Sequence, residues 1–483
     1  MLKILTRNNT LIFLLIITVW RIFLNSTLQL HPDETYYWLW SRNLELSYFD
    51  HPPMLAYFIK LTTLFSMSEF WVRFSGILVS LSMSLLVWLL SKQLFHKDYI
   101  AAGSVILINI YPLTMSGSII VTPDVPAFFF WSLGIYVAWR IFRTRKIYLW
   151  YILGVVFGLS LLSKYTSILL APSIFLYMMF TEEKKWFKTI HPYLSFCIAC
   201  LFFLPVLIWN SQHDWISFSF QIGHGLGGHG PSLFHVVEYI GGQMLVLSPF
   251  VWLAGMWAVS VYLFSKNNEK LFLSLTSLPI IVFFAFTSFK QAAAPNWPVL
   301  AYFTFTIALT AYFLDTSKTK IVIWITVTLI TLSFSLLATL HTRFSVIPLA
   351  KISKELAITD ATTWFYGWEK LAKKANEYED VEFIITPSHT LSATMSYYLK
   401  EKVPVHVDEN ITRFSQYNLW KSPIKGNCKA LYISLKGEAL NDYKEYFALP
   451  VQTDYVTIYR NDFPIKQFRF IYGKTKPLDG FNK

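Results

Sequence analysis

Charged residues are scarce in this 483-residue sequence: Asp, Glu, Lys and Arg together make up only 14% of it. Soluble domains carry about 25%. Together with a hydrophobic fraction of 54%, this deficit indicates a polytopic α-helical membrane protein. Acids are scarcer than bases, and the net charge of +12 would suggest a nucleic-acid partner in a soluble protein. In a membrane protein the basic residues report orientation instead, so we predict no nucleic-acid binding.

Cysteine is nearly absent as well, which excludes a disulfide framework. Two of the three cysteines, Cys197 and Cys200, lie in an apolar run, and we expect no redox chemistry from them. The sequence also shows no internal repeats or low-complexity tracts. No small-residue cleavage site follows the N-terminal "MLKILTRNNT", so we expect a retained first membrane helix rather than a removed signal peptide.

Long apolar runs fill the first two thirds of the chain. A helix of about 20 apolar residues spans the hydrocarbon core of a bilayer. About eleven runs meet or approach this length, namely 10–30, 72–95, 99–117, 125–142, 147–163, 165–181, 190–209, 238–264, 270–288, 297–315 and 320–341. The pair 147–163 and 165–181 is short, and one bent helix with a re-entrant piece is the alternative.

Basic residues concentrate in every second loop between these runs. Lys3 and Arg7 precede the first run, and "SKQLFHKD", "RIFRTRK", "TEEKKWFK", "SKNNEK" and "DTSKTK" follow in alternate loops. Because positively charged loops stay in the cytoplasm, this alternation predicts a cytoplasmic N-terminus and an extracytoplasmic C-terminal region. The same topology brings the following ionisable residues to the outer face: Asp33, Glu34, Asp50, His51, Asp124, Lys164, His213, Asp214, His224, His229 and Lys290.

The composition changes beyond residue 342. The segment "VEFIITPSHTLSATMSYYLKEKVPVHVDEN" predicts a strand, a turn, an amphipathic helix and a short strand, and "KALYISLKG" and "DYVTIYRN" predict further strands. About 140 residues suffice for one compact domain. We therefore predict a transmembrane domain over 1–342, with a first outer loop at 31–71, and a small extracytoplasmic α/β domain over 343–483.

Carboxylates, histidines and lysines gathered at one membrane face indicate a reaction site, because a charge at the membrane edge is costly without a partner. ATP and nucleotide sugars do not reach the outer face, so a group transferred there must arrive on a carrier anchored in the lipid. A transporter or flippase is one alternative, but its ionisable groups are expected near the bilayer centre, often with repeat symmetry. A scaffold with an outer sensing domain is another, and it leaves the acid pairs unexplained.

Seven segments carry a resemblance to a known superfamily: "HPDETYYWLW", "YFDHPPMLAYF", "TPDVPAFFFW", "GLSLLSKYTSILLAP", "LPVLIWNSQHDWISFSFQ", "APNWPVLAY" and "RFSQYNLW". In this order they resemble the GT-C glycosyltransferases. Within that superfamily they are most similar to the bacterial protein-mannosyltransferase-like group that includes the aminoarabinose transferase of lipid A. The resemblance covers the membrane part well and the C-terminal domain thinly, and it does not identify the sugar.

The resemblance implies a glycosyltransferase of the bacterial inner membrane whose donor is a polyprenyl-phosphate sugar. It further implies an acceptor at the outer leaflet (lipid A, another glycolipid or a polysaccharide) and inversion at the anomeric carbon. A protein O-mannosyltransferase is the alternative. Asp33 matches the family's candidate base, and Glu34 beside it would shape the acceptor pocket. Alternatively, both carboxylates merely begin a helix after Pro32, where the helix dipole favours acids.

The same resemblance raises the question of a divalent metal ion such as zinc. In the aminoarabinose enzymes, an acidic metal ligand followed by a phosphate-facing lysine aligns with Asp50 and His51. Here the acid is shorter by one methylene, and a histidine replaces the lysine. His224 falls where that family has a histidine ligand, with His229 nearby. Alternatively, the Gly-rich "GHGLGGHG" is a substrate loop whose histidines bind phosphate.

Two lysines are candidates for binding the carrier phosphate. The family carries a lysine at the position of Lys164, whose outward side is the wrong one for a topogenic charge; a snorkelling lysine is the alternative. Lys290 sits similarly, with Asn296 as a further donor to sugar or phosphate. Asp124, at the start of a span, would hold a basic residue of the site, unless it only caps its helix.

Overall fold

The apolar runs fold into helices in the computed structural model, which describes residues 2–227, 230–315, 317–408, 413–437 and 443–477. In chain order the helices of these residues are α1 (Arg7–Thr27), α2 (Pro32–Arg42), α3 (Met54–Thr62), α4 (Glu69–Phe95), α5 (Asp98–Ile110), α6 (Pro112–Ser116), α7 (Asp124–Thr144), α8 (Tyr148–Leu161), α9 (Leu170–Met179), α10 (His191–Gln212), α11 (Ile216–Leu226), α12 (Leu233–Leu247), α13 (Pro249–Leu263), α14 (Asn268–Leu275), α15 (Leu278–Ser288), α16 (Tyr302–Leu314), α17 (Lys318–Phe344), α18 (Leu349–Ile352), α19 (Lys354–Thr359), α20 (Trp368–Ala375), α21 (His389–Tyr398) and α22 (Tyr443–Tyr446). Short 3-10 helices lie at Leu2–Ile4, Tyr165–Leu169, Glu182–Lys188, Trp297–Ala301, Ala361–Phe365 and Gln416–Asn418.

Seven helical segments of the described residues are long and apolar enough to cross a membrane: Arg7–Thr27, Glu69–Phe95, Asp124–Thr144, His191–Gln212, Asn268–Ser288, Trp297–Leu314 and Lys318–Phe344. Three shorter apolar helical segments, Asp98–Ile110, Tyr148–Leu161 and Tyr165–Met179, fall on other predicted runs. The total of about eleven spans stays a prediction, because the short segments do not reach spanning length by themselves.

The predicted single run at 238–264 is broken. Helices α12 and α13 meet at an angle of 105°. Ser248 connects them with a positive φ of 82°, and Pro249 begins α13. Proline lacks an N–H and disfavours helical geometry in the residue before it, so a continuous helix through this point is excluded. The Ser248 hydroxyl accepts a hydrogen bond from the backbone N–H of Val251 at 3.4 Å and so caps the new helix.

Backbone contacts divide the chain into two units. The first, the helical unit, comprises Met1–Asn25 and Glu45–Ala338. The second, the sheet unit, comprises Ser26–Leu44 and Thr339–Lys483.

Tight helix packing in the helical unit fixes the end of α8. A Cβ on Gly154 would lie 2.5 Å from the carbonyl oxygen of Ser195 on α10, and one on Gly158 would clash with Phe202. Side chains are therefore excluded at both glycines, and α8 and α10 approach closely. The segment that follows α8 is held by a backbone hydrogen bond from Met54 N to Leu162 O at 3.1 Å.

The sheet unit is built on five strands: β1 (Phe383–Thr386), β2 (Val405–Val407), β3 (Lys429–Leu435), β4 (Gln452–Arg460) and β5 (Phe463–Lys474). Their order is β2-β1-β3-β5-β4, with β1 parallel to β2 and β3, and β5 antiparallel to β3 and β4. Helices α20 and α21 contribute Trp368, Leu371 and Met395 to the main apolar core of this unit. The strand, helix and strand expected at 381–410 correspond to β1, α21 and β2.

Helix α2 differs from the sequence-based division, which placed the whole loop 31–71 in the transmembrane domain. The segment Ser26–Leu44, which includes α2, groups with the sheet unit, because α2 packs along α21. The hydroxyls of Thr35 and Thr394 lie 3.0 Å apart, and the Leu30 N–H donates to Tyr398 Oη at 2.7 Å. Trp38 packs edge-on against Tyr397 with ring centroids 5.0 Å apart. These contacts between distant segments cannot be derived from local sequence patterns.

Candidate functional site

Three of the predicted site residues meet in the helical unit. The Lys164 ammonium lies 2.5 Å from Oδ1 of Asp124, and the Asn296 side-chain amide donates to Oδ2 of the same carboxylate at 2.7 Å. The side chains of Lys164 and Asp124 are 8% and 14% exposed. Asp124 thus holds a basic residue of the predicted site, as the sequence suggested, and Asn296 joins it from a third segment.

Local sequence explains how each member of this cluster is presented. Asp124 is the first residue of α7, directly after Pro123. Lys164 follows the end of α8 in an extended conformation, and its N–H donates to Ser160 O at 3.1 Å. Asn296 precedes the 3-10 helix Trp297–Ala301, whose second residue is a proline. Each polar residue therefore lies where a helix starts or stops and its side chain is freed from helical packing.

This cluster is suited to binding an anion. An ammonium carries three donor hydrogens, and Asp124 accepts one of them. A buried charge pair persists because each member compensates the other's lost hydration. An incoming phosphate would find a cation already desolvated and held in place, where its electrostatic effect is larger than in water.

Lys290 does not belong to this cluster. Its side chain is exposed, and its backbone N–H donates to Thr287 O at 3.0 Å. Asn296, predicted as its neighbour in function, is bound to Asp124 instead. Nothing in the structure brings Lys290 to the Asp124 carboxylate, so it is the weaker phosphate candidate of the two lysines.

The segment carrying Asp50 and His51 is fixed by hydrogen bonds in the helical unit. Asp50 is buried, and its carbonyl accepts from the Gln221 side-chain amide at 2.5 Å. The carbonyl of His51 accepts from Tyr48 N at 3.1 Å. Burial raises the pKa of Tyr48, which keeps its phenol neutral.

Two anchors of this segment were missed at the sequence level. Trp209 donates from Nε1 to Oε2 of Glu45 at 2.7 Å, and Tyr57 Oη donates to the Glu45 carbonyl at 2.9 Å. Trp209 lies in a quoted motif, "LPVLIWNSQHDW", as Gln221 does in its continuation, but neither stood out as an ionisable candidate. The signal in the sequence is a polar or hydrogen-bonding residue among the aromatic residues of this motif.

The predicted metal set stays a prediction, because the described side chains do not include that of His224. His224 lies on α11, whereas His229 lies outside the described residues. Within the described residues, no group of three or more His, Cys, Asp or Glu side chains is arranged to hold a metal ion. The donors that are described supply a single carboxylate, Asp50, and we derive no chemical step through a metal.

Asp33 and Glu34 lie in the first turn of α2, in the sheet unit, and differ sharply in environment. Glu34 is fully buried, and its Oε2 accepts from the backbone N–H of His31 at 2.9 Å. The Asp33 side chain is 50% exposed. Glu34 is therefore a helix cap as well as a candidate site residue, while Asp33 remains open to a substrate.

His31 completes the cap. Its Nδ1 accepts from the Asp33 N–H at 3.3 Å and lies 3.6 Å from Asp33 Oδ2. A nitrogen that accepts a hydrogen bond carries no proton, so the second contact is not an ion pair in this arrangement. The ring packs near Trp364 and Phe365, with centroids 6.3 and 5.9 Å away. Local capping chemistry and sheet-unit packing together fix the direction of the Asp33 side chain.

The sequence is similar to those of known sugar transferases. A family model described as dolichyl-phosphate-mannose-protein mannosyltransferase matches residues 50–209. The chain is 26% identical over 305 residues to lipid A galacturonosyltransferase RgtD of Rhizobium johnstonii, covering 62% of this chain and 64% of that one. It is 22% identical over 298 residues to undecaprenyl phosphate-alpha-4-amino-4-deoxy-L-arabinose arabinosyl transferase 2 of Proteus mirabilis, covering 57% and 53%. The chain thus spans less than two thirds of the length of these curated relatives.

The fold is that of a solved membrane protein. The crystal structure of ArnT from Cupriavidus metallidurans bound to undecaprenyl phosphate superposes with a TM-score of 0.72 at 12% identity, over 96% of this chain and 98% of that one. These findings confirm the predicted resemblance to the GT-C glycosyltransferases and, within them, to the group related to the lipid A aminoarabinose transferase.

Proposed function

We propose that this chain is a membrane glycosyltransferase that moves a sugar from a polyprenyl-phosphate donor to a lipid or glycan acceptor. The observation that carries the proposal is the buried Lys164–Asp124–Asn296 cluster at helix ends of a GT-C fold. The name of the Cupriavidus structure records undecaprenyl phosphate as its ligand. A desolvated lysine would attract such a phosphate more strongly than a hydrated one.

On the donor side, Lys164 stabilises the leaving phosphate. As the bond between the anomeric carbon and the phosphate oxygen breaks, a phosphodiester becomes a monoester, and its negative charge grows. A fixed cation therefore interacts more strongly with the transition state than with the ground state, which is the condition for accelerating a reaction. Asp124 and Asn296 keep the ammonium in position, so it does not need to reorganise during the step.

On the acceptor side, we assign the base to Asp33. An acceptor hydroxyl attacks the anomeric carbon from the face opposite the phosphate, and its proton passes to the Asp33 carboxylate. The products are the glycosylated acceptor, with inverted anomeric configuration, and polyprenyl phosphate. The half-exposed carboxylate of Asp33 and the buried cap formed by Glu34 support this division of roles.

We propose the bacterial inner membrane as the location and its outer face as the side of reaction. The alternation of basic loops supports this orientation. A cysteine introduced as Ser211→Cys should react with an impermeant thiol reagent added outside the intact inner membrane, whereas Asn267→Cys should not. Both positions are exposed, so accessibility of the side chain does not confound the comparison. The opposite labelling would reverse the assignment.

Lipid A or a related glycolipid is the proposed acceptor. One curated relative is named as a lipid A galacturonosyltransferase, and the other as an arabinosyl transferase of an undecaprenyl-phosphate-linked sugar. The second candidate is a protein acceptor, favoured by the family description that matches residues 50–209. Lipid and glycoprotein mass spectrometry of cells with and without the gene separates the two. We expect one class of envelope glycolipid to lose a sugar, with the mass difference identifying it. Loss of a sugar from proteins alone would support the second candidate, and no change in either class would contradict both.

Purified protein provides the direct test. Incubation with a polyprenyl-phosphate sugar extract and envelope lipids should release polyprenyl phosphate in proportion to the glycolipid formed. A transporter would move the intact donor without releasing polyprenyl phosphate. Release that does not exceed the background of a Lys164→Ala preparation would contradict the proposal.

A further inference from the structure

The helical unit contains a second polar feature, away from the Lys164 cluster. A cavity of about 300 Å³ opens at the ends of α13 and α16 and beside α14. Its polar walls are Tyr262, Lys270, Tyr312 and Asp315. The cavity adjoins the segments "SKNNEK" and "DTSKTK", which belong to the basic loops predicted to be cytoplasmic. It plays no part in the proposed transfer reaction.

Lys270 in the cavity wall, and Lys320 beside the wall residue Tyr312, rest on aromatic faces rather than on carboxylates. Lys320 Nζ lies 3.9 Å from the centroid of the Tyr312 ring, and Lys270 Nζ lies 5.3 Å from that of Tyr262. Among the described residues, neither ammonium has a carboxylate partner within ion-pair distance. A ring face attracts an ammonium without neutralising its charge. Both lysines therefore keep donor hydrogens and positive charge for an anion.

The one acid in the wall is already compensated. Asp315 is bound by the Lys97 ammonium, and Tyr99 Oη donates to it at 3.1 Å. The hydrogen bond to Asp315 raises the pKa of Lys97, as expected for a charge-assisted pair. Asp315 consequently does not cancel Lys270 or Lys320, and the net charge presented to the cavity is positive.

Exposed apolar side chains continue from the cavity along the same helix. Trp257 is 61% exposed and donates from Nε1 to Tyr312 Oη at 2.9 Å. Phe264, directly after the end of α13 and seven positions beyond Trp257, is 86% exposed. A free phosphate ion would make no apolar contact with this surface. A phospholipid would, because its acyl chains lie next to its headgroup. Aromatic residues of this kind mark the level of the headgroups in a membrane.

We propose that this cavity binds the phosphate headgroup of an anionic phospholipid, with Lys270 and Lys320 as the phosphate ligands. The lysines, held on Tyr262 and Tyr312, supply the charge, and Trp257 and Phe264 contact the acyl chains. Basic pockets between membrane helices on the cytoplasmic side are a known physical route to lipid selectivity. The site is independent of the sugar transfer proposed above.

Binding of phosphatidylglycerol to the full-length protein in detergent, measured by native mass spectrometry, tests this site. Each lysine near an anionic headgroup contributes roughly fivefold to affinity, so the double variant Lys270→Gln/Lys320→Gln should bind about 30-fold more weakly. The matched control is Lys266→Gln/Lys318→Gln, which removes the same charge from exposed lysines of the same loops. It should lose less than about threefold, because exposed charges are screened.

Two further arms identify the source of the phosphate. Phosphatidylcholine of equal chain length should bind weakly and equally to all variants, and inorganic phosphate should not compete with phosphatidylglycerol. Equal losses in the test and control variants would overturn the proposal, because they would show only a diffuse surface potential. Competition by inorganic phosphate at millimolar concentration would overturn the lipid assignment. Thermal unfolding of each variant without lipid shows whether folding is intact.

Discussion

Each unit of this protein contains one carboxylate that the sequence predicts as a site residue, and the two carboxylates lie in opposite environments. In the helical unit, Asp124 is buried and accepts from both Lys164 and Asn296. In the sheet unit, Asp33 is half-exposed, and its carboxylate lies 3.6 Å from the His31 ring nitrogen. The Thr122 hydroxyl adds a third donor to the Asp124 carboxylate at 3.4 Å. A carboxylate engaged in this way is suited to holding a cation rather than to accepting a substrate proton. A carboxylate with free lone pairs can accept a proton from a substrate.

This difference indicates that the neighbouring charges, rather than the residue type, distinguish the two aspartates. Both aspartates stand in the first turn of a helix next to a proline, and by sequence alone they look alike. The helix dipole favours each of them to a similar degree. The basic partner supplied by another segment is why we propose Asp124 as a positioning residue and Asp33 as the base.

The largest effect is expected from Asp33→Asn. Asparagine preserves size and hydrogen bonding but cannot take a proton, so transfer should fall by roughly 10²–10⁴-fold, the contribution typical of a positioned base. Folding and donor binding should be unchanged, since the side chain is half-exposed. Turnover of a polyprenyl-phosphate sugar by purified protein is the measurement. Asp380→Asn, an exposed acid of the same unit, is the control. Activity within a few-fold of the unmodified protein would remove Asp33 from the role of base.

The next effect is expected from Lys164→Ala, which removes the cation from the helical unit. Turnover should fall at least ~100-fold, as when one preorganised transition-state donor is lost. Lys164→Arg should recover part of this loss, because arginine keeps the charge but changes its geometry. Lys60→Ala, on the neighbouring helix α3, should cost much less.

A double variant separates stability from catalysis at this cluster. Lys164→Ala alone leaves Asp124 buried without its cation, which typically costs about 3–5 kcal/mol of stability. Lys164→Ala/Asp124→Ala removes both charges and should regain most of that stability while staying inactive. If the double variant turns over donor at a near-normal rate, Lys164 is a structural anchor. The phosphate site would then have to be sought near Lys290 and His51.

Sequence patterns located the helices well because the signal is local: an apolar run of spanning length folds the same way in many contexts. They also gave both lysine candidates, but not which of the two lies beside a buried carboxylate. Lys290 is exposed and Lys164 is paired, and only the folded chain brings Asp124 to one of them. Pro249 could have predicted the bend at Ser248, but the long apolar run around it favoured a single span.

Local sequence patterns could not predict that α2 groups with the sheet unit. Its contacts, such as Thr35 with Thr394 and Leu30 with Tyr398, join residues more than 350 positions apart. The hydroxyl of Tyr36 on α2 likewise accepts from the backbone N–H of Gln416 at 2.8 Å. Long-range pairing of this kind is set by the whole fold, not by the period of one segment.

Acid should loosen the sheet unit before the helical unit. Burial, assisted by the charge of Arg413, lowers the pKa of His389 to about 4, and its ring packs edge-on against Tyr36 of α2. The histidine of the unfolded chain has a pKa of about 6.5. Between about pH 6.5 and 4 it therefore binds a proton in the unfolded state but not in the folded state. Stability is therefore full above pH ~6.5 and falls as pH drops toward 4, by about 2 kcal/mol at pH 5.

Hydrogen exchange at several pH values, corrected for intrinsic rates, measures this effect. Amides of α2 and α21 should lose protection between pH 6.5 and 5, while those of α7 and α8 around the Lys164 pair should not. His389→Gln cannot titrate and should remove the pH dependence from α2 and α21. An unchanged pH dependence in that variant would show that another group is responsible.

The smallest effect is expected from His31, and it tests whether the openness of Asp33 depends on the cap beneath it. His31 Nδ1 accepts from the Asp33 N–H, and the Asn side-chain oxygen occupies a similar position, so His31→Asn should keep the cap while His31→Ala should lose it. Loss of an N-cap typically costs about 1 kcal/mol. We therefore expect His31→Ala to raise hydrogen exchange at the start of α2 roughly fivefold and to lower turnover by a similar factor, with KM for the donor unchanged. His31→Asn should retain both properties.

If the two variants instead lose turnover equally while only His31→Ala loses protection, the imidazole acts on the reaction itself. The contrast between the two aspartates would then include a histidine partner for Asp33 as well as a lysine partner for Asp124.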